Sequence, residues 1–155
     1  MLKFTKMEGI GNDYIYIDGI HQDVPMNPHF ITKISDRHFG IGSDGVIVIQ
    51  ESEICDFKMR MFNLDGSEGK MCGNGIRCFA KFVYDHQLTK KTYLEIETLG
   101  GIKKVWLIID NNKVQYVRVN MGQPILKSKE IPCLFDKEEM INEPIEVDEI
   151  GRAHV

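Results

Sequence analysis

Hydrophobic and polar positions change period several times along the chain, and each change marks an element. Leu2 to Met7 and Tyr14 to Ile17 are β-rich runs flanking Gly9-Ile10-Gly11-Asn12-Asp13, which predicts a strand, a glycine turn and a returning strand. Asn27-Pro28 places a capping residue and then proline at a helix start, with Phe30, Ile31 and Ile34 as the inner face and a stop near Arg37-His38. Val46 to Ile49 is an apolar run of strand length, and Phe57-Lys58-Met59-Arg60-Met61 alternates as a half-buried strand does. The period then changes to that of a helix. Ile76, Phe79, Ala80 and Val83 fall at i, i+3, i+4 and i+7, and Cys78 and Phe82 widen the apolar face until only Arg77 and Lys81 stay polar. A helix apolar nearly all round is a buried one, so the rest of the fold is expected to wrap around it. Tyr93 to Glu97 returns to strand, and Ile102–Asp110 and Val114–Met121 form a predicted hairpin across Asp110-Asn111-Asn112-Lys113. From Pro124 the pattern weakens, and Glu138 to Asp148 reads as an acidic linker or edge.

Composition narrows the function classes. A chain of 155 residues is long enough for one domain with a real core, and 19 Lys+Arg against 23 Asp+Glu leave a net charge of −4. No basic block or aromatic-interleaved basic stripe points to nucleic acid. No apolar run reaches membrane-spanning length and the N-terminus lacks a signal-peptide pattern, so a cytoplasmic location is expected, with no membrane partner. Cys55, Cys72, Cys78 and Cys133 then read as reduced thiols rather than disulfides, and the lack of Cys-x-x-Cys or Cys/His zinc spacing argues against a structural metal.

The candidate chemistry sits where the buried helix begins. Cys72-Gly73-Asn74-Gly75 opens it, so unpaired first-turn N–H groups and the positive end of the helix dipole surround Cys72. Such a start favours an anion and favours thiolate over thiol, and the glycines allow a ligand close to the backbone. A small cysteine buried in a turn is the bland alternative. Asn12 carries an amide able to donate and accept, which suits an amino-acid ligand, although asparagine also simply favours turns. His38, at a helix end, reads as capping or surface rather than as a base. Gly40-Ile41-Gly42-Ser43-Asp44-Gly45 matches G-x-G-x-x-G, but a helix precedes it and a strand follows, the reverse of a dinucleotide site. Gly69-Lys70-Met71 lacks the Ser/Thr ending of a phosphate loop.

Four motifs in order carry a resemblance: Met7-Glu8-Gly9-Ile10-Gly11-Asn12-Asp13-Tyr14, Arg37-His38-Phe39-Gly40-Ile41-Gly42-Ser43-Asp44-Gly45, Met61-Phe62-Asn63-Leu64-Asp65-Gly66-Ser67-Glu68 and Met71-Cys72-Gly73-Asn74-Gly75-Ile76-Arg77-Cys78. Together they resemble the diaminopimelate epimerases, from Met1 to about Pro124 and more loosely beyond. The Cys-Gly-Asn-Gly form is closer to this family than to proline racemases, which share the fold but have histidine at the Asn74 position. The resemblance implies an α+β fold in which a curved, barrel-like mixed sheet wraps a central helix, and a second similar domain with the substrate between the two. It implies an epimerase that interconverts LL- and meso-2,6-diaminopimelate, a precursor of lysine and peptidoglycan, without pyridoxal or any other cofactor. Cys72 would be one of two acid/base cysteines, Asn12 and Asn63 would hydrogen-bond the small-molecule substrate, and Gly73 and Asn74 would offer donors to its α-carboxylate. Many members have a substrate-contacting glutamine where this chain has Gly45, so that contact is unfilled.

The resemblance also divides the chain, into an epimerase-like domain over residues 1–125, the start of a linker toward a second domain over 126–148, and a tail over 149–155. The tail, Glu149-Ile150-Gly151-Arg152-Ala153-His154-Val155, resembles one reading frame of a sequencing-library adapter and reads as non-native. The second cysteine and the Glu-Arg pair for the substrate amino group have no counterpart here, so the chain alone is expected to be an inactive half of a protein that could be a homodimer at full length. Cys78, six residues beyond Cys72 on one helix, is too far along it to be the second acid/base and reads as core, while Cys55 and Cys133 have no motif around them and default to core or surface thiols. Two alternatives remain: a related racemase with another substrate, and a non-enzymatic module that binds an amino acid or anion at the same helix start.

Overall fold

A computed structural model describes residues 1–131, 133–134, 136–147 and 151–154. The chain divides into two compact units, Met1–Met121 and Gly122–Val155.

The first unit begins with a hairpin, β1 (Thr5–Gly9) and β2 (Asn12–Asp18). Its turn is the two residues Ile10 and Gly11, both at positive φ (58° and 78°), the geometry that matches the twist of paired strands. Asn12 therefore belongs to β2, opposite Gly9, rather than to a longer glycine turn. The chain then forms α1 (Pro28–Ser35), β3 (Gly45–Gln50), β4 (Phe57–Asn63) and a two-residue β5 (Glu68–Gly69) that turns back on β4. The long helix α2 (Gly73–Asp85) follows, then β6 (Tyr93–Glu97) and the hairpin β7 (Lys103–Asp110) and β8 (Lys113–Asn120). Asn111 and Asn112 make that last turn with positive φ, as asparagine tolerates.

The strands form one mixed sheet in the order β1-β2-β3-β4-β6-β7-β8, with β5 alongside β4. Two neighbouring pairs are parallel, β2 with β3 and β4 with β6, and each is joined through a helix. Both crossovers step the same way across the sheet, but β3 and β4 run antiparallel. Right-handed crossovers on strands of opposite direction put their helices on opposite faces. Burial agrees. Ile15, Ile17, Val46, Val48 and Phe62 point to one face with Ile31 of α1, while Tyr16, Ile47, Met59, Met61, Leu94 and Ile96 point to the other with Ile76, Phe79 and Val83 of α2.

Helix α2 spans the gap between the two edges of the curled sheet. Toward β1, Cys78 Sγ donates to the Glu8 carbonyl at 3.3 Å. Toward β8, Lys81 Nζ donates to the Val114 carbonyl at 2.8 Å and Asp85 accepts from the Val114 N–H at 3.2 Å, with Lys81 and Asp85 themselves paired at 2.7 Å. The helix is thus the centre of a half-barrel, with Ile76, Phe79, Ala80 and Val83 wholly buried and only Arg77 and Lys81 partly exposed among its polar middle positions. Burying one such aliphatic or aromatic side chain is worth about 1.5–3 kcal/mol.

Among its described residues the second unit holds a 3-10 turn (Ser128–Glu130), an ion pair between Lys137 and Glu143 at 2.7 Å, and an antiparallel pair of β9 (Pro144–Val147) with β10 (Gly151–His154). Of the tail read as non-native, residues 149, 150 and 155 lie outside the described residues.

Candidate active site

Strand alternation places the site. On β2, Tyr14 and Tyr16 face α2, so Asn12, two residues earlier, continues the same row beyond the core. On β4, Met59 and Met61 face α2, and Asn63 continues that row in turn. Tyr14 pairs with Gly45, and Gly45 with Asn63, so Asn63 lies level with Tyr14, two strand spacings or about 10 Å across the sheet, and Asn12 extends two residues further toward the same end. The start of α2 closes that end of the half-barrel.

Cys72 is the N-cap of α2. Its backbone is extended, and its Sγ, rather than the usual oxygen, accepts the Gly75 N–H at 3.2 Å. The Asn12 amide donates to the same Sγ at 3.5 Å. Two N–H donors thus hold one sulfur at the positive end of the helix dipole. Gly75 makes this approach feasible: a Cβ there would stand 2.6 Å from Ile47 Cδ1 and 3.3 Å from the Cys72 Cβ. The N–H groups of Gly73 and Asn74 find no acceptor among the described residues, as expected for a first turn. Those two donors, the thiol and the Asn12 amide make a small polar cluster, partly exposed, on an otherwise apolar core.

Asn63 reaches the same end of the sheet but not the thiol. It is exposed, and its Nδ2 donates to Ser67 Oγ at 3.0 Å within the turn that leads to α2. Gly45 is required by its surroundings, because a Cβ there would meet the Phe62 carbonyl oxygen at 2.0 Å. A glutamine, the residue the resemblance leads one to expect here, has no room on this backbone. Ser43 and Asp44 prove to be supports. Ser43 is buried and donates to the Gly45 carbonyl at 2.8 Å, while Asp44 accepts from the Asp13 N–H at 3.1 Å and from Arg37 at 2.8 Å. Arg37 also grips Asp13 at 2.7 Å, and that bond chiefly holds the Asp13 carboxyl well below the usual carboxylate range. His38 is exposed beside Phe39.

Two residues of the cluster escape a reading by motif. Tyr14 lies against Cys72; burial, and after it the Cys72 sulfur, pushes its phenol up to about 12, so it stays a neutral hydroxyl. Its signal is the i+2 spacing from Asn12 in a strand. Arg77 binds the first turn of its own helix, donating to the Gly73 carbonyl at 3.0 Å and to Asn74 Oδ1 at 2.6 Å. Its signal is the i+3 and i+4 spacing from Asn74 and Gly73. Cys78 is core: burial pushes its thiol up, and its proton goes to the Glu8 carbonyl. Cys55 precedes β4, at the strand end remote from Asn63. Among the described residues no group of His, Cys, Asp and Glu could hold a metal ion, and no helix is long and apolar enough to cross a membrane.

Known proteins with this sequence pattern agree. A family model described as diaminopimelate epimerase matches residues 4–127. A diaminopimelate epimerase of Methanococcus maripaludis is 59% identical over 145 residues, 93% of this chain and 52% of the relative. One of Acetivibrio thermocellus is 52% identical over 147 residues, again 52% of its length. This chain thus spans about half the length of the curated relatives it matches. Among solved structures, a probable proline racemase from Agrobacterium radiobacter superposes with a TM-score of 0.70 at 11% identity, over 99% of this chain and 48% of that one. A hydroxyproline epimerase from Agrobacterium vitis gives 0.68 at 12% identity, over 99% and 47%. Likeness at such identities speaks to the fold, a curved mixed sheet around a helix, while the sequence matches speak to kinship: the chain belongs to the diaminopimelate epimerase family.

Proposed function

We propose that the complete protein interconverts LL- and meso-2,6-diaminopimelate, with Cys72 as one of its two proton-transfer groups. The observation that carries this reading is the sulfur of Cys72 at the start of α2, accepting N–H bonds from Gly75 and Asn12. Family membership supplies the substrate class.

Inverting a stereocentre by proton transfer needs a base on one face of the α-carbon and an acid on the other. The Cys72 thiolate takes the α-proton from one side, the Cα–H electrons pass into a carbanion conjugated with the carboxylate, and a thiol opposite delivers its proton to the other face. The reverse reaction exchanges the two roles. The α-C–H of an amino acid is a very weak acid, so charge developing on the carboxylate must be met by fixed donors. Gly73 and Asn74 offer N–H groups there, and Asn12 and Asn63 hold the substrate by hydrogen bonds. A cysteine suits the work because its ordinary pKa, about 8.5, can be tuned toward neutrality. The opposing thiol comes from outside the Met1–Met121 unit, since Cys78 is bonded into the core and Cys55 lies at the remote end of β4. A cytoplasmic setting fits, because an acid/base thiol must stay reduced.

Stereochemical assay of LL-diaminopimelate tests the reading. The complete protein is expected to bring it to a mixture with the meso form, without added cofactor, and the 155-residue chain alone to leave it unchanged. Turnover by this chain at the rate of the complete protein would overturn the two-thiol account.

A further inference from the structure

The start of α2 contains its own competitor for a bound carboxylate. Asn74 sits in the first turn, and an asparagine there can fold its side-chain oxygen back onto the free first-turn N–H groups. In this structure it does not. Asn74 Oδ1 lies 2.6 Å from Arg77 NH2, while Arg77 NH1 lies 3.0 Å from the Gly73 carbonyl. A guanidinium only donates, so the amide atom facing it is the oxygen, and the amide NH2 is left as a donor. The Asn74 amide oxygen and the Gly73 carbonyl are thereby held by one side chain, and the Asn74 amide NH2 and the open first-turn N–H groups remain as donors for a ligand.

The charge on Arg77 is also unspent. Lys6, Arg37 and Lys81 each have an aspartate within 3.0 Å. Arg77 has no carboxylate within ion-pair distance among the described residues; it donates to a carbonyl and to an amide oxygen. A part-buried cation with neutral partners adds a full positive charge to the partial one of the helix start.

We propose that Arg77 is a positioning residue: its forked bond to Asn74 and Gly73 keeps the first turn of α2 free of its own acceptors and makes that turn a seat for a carboxylate beside Cys72. The inference rests on the epimerase reading for the identity of that carboxylate, but not for its test.

Two alkylating reagents of nearly the same size decide it on the 155-residue chain. Iodoacetate and neutral iodoacetamide both attack the Cys72 thiolate, forming an S–C bond with loss of iodide. The ratio of their rates at one pH cancels the thiolate fraction and reports how well the seat accepts an anion. Cys72 modification is followed by mass spectrometry of its peptide, with circular dichroism as a control for folding. Arg77→Gln is expected to lower the iodoacetate-to-iodoacetamide ratio on the order of tenfold, and Arg77→Lys, which restores charge without the fork, to give an intermediate value. A ratio within twofold of the unmodified protein in either variant would overturn the proposal. If Arg77→Gln does not fold, Arg77→Lys decides alone. In the complete protein the same substitution is expected to raise KM for diaminopimelate more than it lowers kcat; a fall in kcat at constant KM would contradict a seat for the substrate. Should the complete protein prove inactive, the epimerase reading falls, and the reagent ratio still decides the role of Arg77.

Discussion

Helices α1 and α2 play the same topological part and begin in opposite ways. Each links a parallel pair of strands, and each covers one face of the sheet. Helix α1 starts on Asn27, whose side chain accepts the Phe30 N–H at 2.9 Å, with Pro28 next, which has no N–H to satisfy. That start is closed. Helix α2 starts on Cys72, a poorer cap, followed by glycine, asparagine and glycine, with two N–H groups left open and a guanidinium holding the local acceptors aside. Local stability is given up where a ligand is to be held, and is recovered further along, where Ile76, Phe79, Ala80 and Val83 are fully buried.

This contrast can be broken at several points. The largest effect is expected at the thiol: Cys72→Ala in the complete protein should lower epimerisation about 10³-fold or more, with little change in the unfolding midpoint. Next comes the segment that anchors the open start. Phe79→Ala, deep in the α2 core, should cost about 3–5 kcal/mol in urea unfolding, the usual range for emptying a buried aromatic site. Gly75→Ala should cost less, about 1–3 kcal/mol, because the Ile47 side-chain tip can yield, yet activity should fall disproportionately, since the new methyl crowds Cys72. At the closed start, Asn27→Ala should cost about 1 kcal/mol and leave kcat and KM unchanged.

The smallest effect concerns pH. Arg37 holds the Asp13 carboxyl below its ordinary value in the folded protein, so the unfolded chain takes up that proton first as pH falls. The stability advantage over Asp13→Asn should be complete above about pH 5 and fade below about pH 4, as read from denaturation at stepped pH.

How much of this was legible beforehand depended on the range of the forces involved. The buried helix, its cysteine start and the strands over Phe57–Asn63, Tyr93–Glu97, Lys103–Asp110 and Lys113–Asn120 follow from local periodicity and capping, and they appear within two residues of where the pattern places them, whereas β9 and β10 arise in segments that read as linker and tail. The first strand lies two or three residues later than its composition predicts, because its ends are fixed by pairing with β2 from Thr5 to Gly9. The two-residue β5 has no periodicity to detect; it exists because Met61 and Phe62 offer it an edge. At the site, Cys72 and Asn12 come together across sixty residues of sequence. Asn63 arrives at the same end of the sheet but bonds within its own turn. Tyr14 and Arg77 lie inside the motifs with no role assigned by them, because each acts through a neighbour, Cys72 for Tyr14 and Asn74 for Arg77.

The central claim is that Cys72 moves a substrate proton. Its most direct test is deuterium uptake at the α-carbon of LL-diaminopimelate in D2O, followed by NMR, for the complete protein and its Cys72→Ala variant. The account predicts that the unmodified protein forms α-deuterated meso product and that the variant forms none above background. Product formation by the variant within tenfold of the unmodified rate would contradict it.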